Sequence, residues 1–95
     1  MISFTVRMKF KQEDRGEIHE ALRLLLAASR QEAGCVSYIP HTVEQDADTV
    51  VIYEQYRDAT ALEAHRASEH FKKYAVGVLY QRMLERTLED LNAIA

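Results

Sequence analysis

The chain has 95 residues, a formal net charge of −3 and one cysteine, Cys35. That length fits one domain, residues 1–95, and a lone thiol makes no internal disulfide, in keeping with a reducing cytoplasm. No basic stripe is present to neutralise phosphates, so nucleic acid is not an expected partner, and no apolar run approaches the roughly 20 residues that span a bilayer, so neither is a membrane.

At the start, Ile2, Phe4, Val6, Met8 and Phe10 alternate with Ser3, Thr5, Arg7 and Lys9. Period two predicts a half-buried strand, and the segment lacks the apolar core of a signal peptide. Lys11 to Asp14 is a polar break, with Gln12 or Asp14 leading into a helix and Glu13, Asp14 and Glu17 favoured in its first turn. Ile18, Leu22, Leu25 and Ser29 mark the buried face of that helix, which leaves His19 on the solvated side. Gly34 is placed to end it in the left-handed conformation.

Cys35 to Val43 is rich in β-formers, and Pro40 within it requires an edge strand or a bulge. Gln45 to Asp48 reads as a turn and Thr49 to Arg57 as the next strand, making an antiparallel hairpin. Asp58 is a good N-cap for a helix over Ala59 to Arg66. Ser68 caps a second, whose face carries Phe71, Tyr74, Ala75, Val78 and Leu79. The last element is ambiguous. Leu84, Leu88 and Leu91 follow helical spacing, whereas Thr87 and the position after a full helix favour a closing strand. With a strand there, the order is the split βαβ of a ferredoxin-like α+β fold, with an antiparallel sheet and helices on one face. Hydrophobic residues make up 47% of the chain, much for a small monomer to hide, and a homodimer is expected.

Chemistry-bearing residues concentrate between Val50 and Tyr74. A strand ending in Ile52-Tyr53-Glu54-Gln55-Tyr56 meets a helical run delivering His65, then His70 and Phe71. A neutral imidazole suits a general base near neutral pH, and phenols can hydrogen-bond a developing oxyanion. His65 equally fits a hydrogen-bonded packing residue, since Ala61 and Leu62 place it near the buried helix face. His70 equally fits the surface. Glu54 is costly in a strand unless partnered, and an ion pair with Arg57 or Arg66, or a backbone donor, would satisfy it. A metal centre is not expected: His65 and His70 are five residues apart across a cap, and no Cys or carboxylate completes a set. Cys35 reads as an inert, partly buried thiol. The three glycines are scattered singly, so no phosphate cradle for a nucleotide or flavin is present.

The pieces Glu32-Ala33-Gly34-Cys35 with Tyr38, Ile52-Tyr53-Glu54-Gln55-Tyr56, and Ala61-Leu62-Glu63-Ala64-His65 with Ser68, His70 and Phe71 resemble the antibiotic biosynthesis monooxygenase domain family, including its quinol monooxygenase-like members. The resemblance implies a dimeric α+β barrel of ferredoxin-like protomers, with a strand over Leu84 to Asn92 crossing the dimer contact. It also implies a pocket between sheet and helices. There a small hydroxylated aromatic would be oxidised by O2 without flavin, haem or metal. On that reading His65 is the base and His70 a second proton-transfer or orienting group, and Tyr38, Tyr53, Phe71 and Tyr74 form the wall. The family's haem-degrading branch fits poorly. It carries a Trp where this chain has His65 and an axial His where it has Ala75, and its first strand supplies an Asn that is missing here. Because fold does not fix reaction, two other readings stand: a non-catalytic dimeric small-molecule-binding or stress protein, and an isomerase of small hydroxy-ketones.

Overall fold

A computed structural model describes residues 1–95. The alternating first segment forms β1 (Ile2–Lys9), whose Phe4, Val6 and Met8 are buried. A 3-10 turn, Gln12–Asp14, leads into α1 (Arg15–Ser29). No side chain caps that entry. The Asp14 N–H bonds the Lys11 carbonyl at 3.0 Å, and the Asp14 carboxylate lies 3.7 Å from Arg82. Ile18, Ala21, Leu22, Leu25 and Ser29 are buried and His19 is exposed, as the 3.6-residue period requires.

Gly34 does not take the left-handed conformation, and no residue of the chain has a positive φ. Its value is the missing side chain. A Cβ on Gly34 would lie 2.3 Å from the Cβ of Ala61, because the loop after α1 presses against the next helix. Gly34→Ala is therefore expected to destabilise the fold by about 2–3 kcal/mol through overpacking, read as a lower urea midpoint. Adding Ala61→Gly should recover part of the loss, less the cost of about 1 kcal/mol for a helix glycine. Additive losses in the double variant would refute the close approach as the cause.

β2 (Cys35–Val43) and β3 (Asp46–Tyr56) form the hairpin. The expected turn at Gln45 to Asp48 is shorter, confined to Glu44 and Gln45. Asp46 to Asp48 look like loop residues but build a bulge, the register stepping from Thr42 opposite Val50 to Val43 opposite Asp46. The Asp46 carboxylate holds it, accepting the Asp48 N–H at 3.1 Å and the Thr49 hydroxyl at 2.6 Å. Those bonds also hold the Asp46 carboxyl below the usual range.

α2 (Ala59–Ala67) starts at Asp58, whose carboxylate accepts the Ala61 N–H at 2.9 Å. Ser68 accepts the Phe71 N–H at 3.2 Å and restarts the chain as α3 (Phe71–Leu79), which is wound more widely than an α-helix and ends in the turn Tyr80–Arg82. The closing element is a strand, β4 (Glu85–Leu91), paired antiparallel to β1. Its leucine spacing misleads. Leu88 faces Val6 on the covered side, Leu91 faces Ser3 on the open side, and Leu84 precedes the strand.

All pairings are antiparallel and the strand order is β2-β3-β1-β4, the ferredoxin-like arrangement, with Pro40 on an edge strand as required. The buried core joins Phe4, Val6 and Met8 to Val50, Ile52 and Tyr56 of β3 and to the inner faces of α1 and α3. The other face of the sheet carries Ser3, Thr5 and Arg7 beside Gln55, Tyr53 and Val51. No helix is long and apolar enough to cross a membrane.

Candidate functional site

Strand parity sets the floor of the site. Ile52, Glu54 and Tyr56 share the covered face of β3, and Glu54 lies between Phe4 of β1 and Tyr38 of β2. α2 lays His65 over that floor and the restart at Ser68 brings His70 beside it, the two rings 6.0 Å apart between centroids. Tyr56, Phe71 and Tyr38 surround His65 at 5.1, 5.2 and 5.7 Å, and the imidazole is only 1% exposed.

The loop between α1 and β2 supplies the group that ties these together. Glu32 accepts from His65 Nδ1 through both carboxylate oxygens, at 3.0 and 3.1 Å. One of those oxygens also makes a short contact with His70 Nε2. A carboxylate only accepts, so Nδ1 of His65 carries the proton and Nε2 keeps its lone pair. That lone pair faces Glu54, whose Oε1 is 3.8 Å away, beyond hydrogen-bond length. Glu54 itself accepts the Tyr56 hydroxyl at 2.7 Å.

Burial governs the protonation states. It pushes Glu54 up to about 7, against the Tyr56 hydrogen bond and the charges of Arg66 and Arg86. It pushes His65 down from its ordinary value, against the hydrogen bond to Glu32. The Tyr38 and Tyr56 phenols are raised, also chiefly by burial, and remain O–H donors. Near neutral pH the site thus holds a neutral imidazole beside a carboxyl that readily keeps its proton. A cavity of about 30 Å³ remains between Tyr38, Glu54, His65, Phe71, Tyr80 and Arg86, room for about one water.

His65, His70, Tyr38 and Phe71 are therefore brought together. Tyr53 is not: it stands on the open face between Thr5 and Ile39, because its neighbour Glu54 faces inward and successive strand residues point to opposite sides. Tyr74 lines an outer groove with His70, Leu24, Ala27 and Lys73, outside the His65 cavity. The pair Glu54–Arg57 does not form. Glu54 turns inward to Tyr56, while Arg57 donates to the Ala33 carbonyl at 3.0 Å. A carboxylate does join the two imidazoles, contrary to expectation: Glu32 places a donor atom within 4.8 Å of both. Cys35 is partly buried with its thiol pushed up by burial, consistent with an inert thiol. A larger open groove of about 410 Å³ runs between α1 and β2 past His19, Arg23 and His41, but none of the expected site residues lines it.

Glu32, Tyr56, Tyr80 and Arg86 join the site without a site role expected from sequence, although Glu32 and Tyr56 stand in the stretches that carry the resemblance. Only Tyr56 has a local signal, since it shares strand parity with Glu54. Glu32 is 33 residues from His65 and 38 from His70; it stands in a stretch that carries the family resemblance, but no local spacing announces its contact with the imidazoles.

A ferredoxin-like domain with a histidine–carboxylate pocket between its sheet and helices is the class that fold and site define. The chain belongs to the antibiotic biosynthesis monooxygenase family, whose model matches residues 1–76. Rv0793 of Mycobacterium tuberculosis, provisionally named a monooxygenase, is 38% identical over 80 residues, 78% of each protein. A crystal structure of an antibiotic biosynthesis monooxygenase superposes with a TM-score of 0.92 at 25% identity, covering 100% of both chains. PA3566 from Pseudomonas aeruginosa superposes with a TM-score of 0.89 at 29% identity over 99% of this chain and 94% of its own. Family and relatives support a monooxygenase-like function in general terms.

Proposed function

We propose that this protein is a cofactor-independent monooxygenase that oxidises a quinol or a related small hydroxylated aromatic with O2. The observation that carries the reading is the neutral, buried His65, oriented by Glu32 at 3.0 Å beside a phenol-lined cavity. A quinol reduces triplet O2 poorly until it loses a proton. His65 Nε2 takes that proton, and the hydroxyl of Tyr38, which lines the cavity, steadies the oxygen that becomes negative, while the Tyr56 hydroxyl stays on Glu54. The phenolate passes an electron to O2, the two radicals combine as a peroxide on the ring, and loss of water leaves a hydroxyquinone. Quinol plus O2 gives hydroxyquinone plus water, which balances with no external reductant. His70, 20% exposed at its side chain and bonded to Glu32, relays protons towards the surface.

A cavity of about 30 Å³ is far below the roughly 300 Å³ of small ligand pockets, so substrate entry requires Tyr80 and Arg86 to swing outward. Both sit at the margin of the site, and Arg86 belongs to the largely exposed β4. The open sheet face, with Ile39 40% exposed and Leu91 37% exposed, supports a homodimer packed through that face. Oxygen consumption by the protein with a panel of hydroquinones tests the reading, with quinone formed in step with O2 used. The outer groove of about 710 Å³ past His70 and Tyr74 favours one second reading, a dimeric small-molecule-binding protein. A thermal shift with aromatic ligands and no oxygen uptake would decide for it.

A further inference from the structure

The carboxylate of Glu32 and the imidazoles of His65 and His70 point three donor atoms at one spot, all within 4.8 Å of one another. Two imidazole nitrogens and one carboxylate oxygen are a ligand set that suits borderline divalent ions, with a fourth position left for water. Bonds of about 2.0–2.2 Å require Glu32, which touches both rings and lies on a loop rather than inside a helix or strand, to draw back as the ion takes its place between them. A second-layer carboxylate stands nearby, although beyond hydrogen-bond length. Glu54 sits 3.8 Å from the far nitrogen of His65 and is itself held by the Tyr56 hydroxyl. A carboxylate behind a ligating histidine fixes the ring and its tautomer in metal sites.

From this arrangement we infer that Glu32, His65 and His70 form a binding site for one divalent transition-metal ion of the zinc type. The ion and the proton network exclude each other. An ion on Nδ1 of His65 displaces the proton shared with Glu32 and moves it to Nε2, where it meets Glu54. His65 then has no lone pair for a substrate. Metal occupancy thus switches the proposed base off, although binding itself needs neither substrate nor oxygen.

The chelator-stripped full-length protein should take up one Zn²⁺ per chain in calorimetry at pH 7.5. His70→Ala and Glu32→Gln, both at partly exposed positions, should each weaken binding at least tenfold. His19→Ala and His41→Ala, which alter the exposed imidazoles elsewhere, should leave it unchanged. Co²⁺ should give the intense visible bands of a low-coordinate site. Should a variant fail to fold, the imidazole resonances of the unaltered protein decide, because only those of His65 and His70 should move with Zn²⁺. No saturable binding below about 1 mM, or binding indifferent to both Glu32→Gln and His70→Ala, overturns the inference. Neither result bears on oxygen uptake by the metal-free protein, which tests the proposed reaction separately.

Discussion

His65→Asn is expected to lower kcat for hydroquinone oxidation by about 10²–10⁴-fold, the usual worth of a positioned general base, or about 3–5 kcal/mol of barrier. Asparagine is the informative replacement. Its amide N–H can still donate to Glu32, so the loop stays seated, and it fills part of a position that is 1% exposed. What it lacks is the Nε2 lone pair facing Glu54 and the cavity. KM should change little, because the lost interaction belongs to proton transfer rather than to binding. His70→Ala acts only through Glu32, and its effect should be about tenfold or less. The pH profile adds a check. Burial lowers His65 from its ordinary 6.5, so protonation of the base should cut the rate on the acid side, below 6.5. Turnover by His65→Asn within twofold of the unaltered protein, with circular dichroism unchanged, removes His65 from the chemistry and returns it to a packing role.

How far the sequence leads is clear from single residues. Period two in the first strand, the buried stripe of α1, the caps at Asp58 and Ser68 and the edge position of Pro40 are local signals, and local physics determines them. The last strand runs against its own leucine spacing and is legible only through the family resemblance, because two of its three leucines are not on the covered face. Tyr53 fails for a reason open to parity: it cannot share a face with Glu54. Which of the two faces is covered is not readable from β3 alone, since Val51 and Tyr53 are as apolar as Val50 and Ile52. Tyr74 lies outside the His65 cavity because α3 is wound wide. Phe71, Ala75 and Leu79 stack at intervals of four over the sheet, and Tyr74 is rotated away to the outer groove. Glu32 reaches the site through the close approach of Gly34 to Ala61. A contact between distant segments leaves no periodicity in either one.

Glu54→Gln is expected to stabilise the protein at pH 8 by about 2–3 kcal/mol and to have little effect at pH 4.5. Burial raises the Glu54 carboxyl from 4.5 to about 7. Every tenfold weakening of an acid is worth about 1.4 kcal/mol between its two protonation states, and the side chain is only 8% exposed, so solvent screens little of it. The sign follows from which state holds the proton. Between pH 4.5 and 7 the folded protein keeps the Glu54 proton and the unfolded chain has lost it. Stability from this group is therefore fully present below 4.5 and is lost as pH rises through 7. Glutamine never ionises, yet its carbonyl can still accept the Tyr56 hydroxyl, which bonds Glu54 at 2.7 Å. His65 contributes with the opposite sign, its lowered value costing stability as pH falls below 6.5, but it is present in both proteins and cancels. Thermal melts in chelator should then show the variant about 10 °C more stable at pH 8, the gap closing towards pH 4.5. A gap that does not change with pH would mean that Glu54 is not the group carrying the proton.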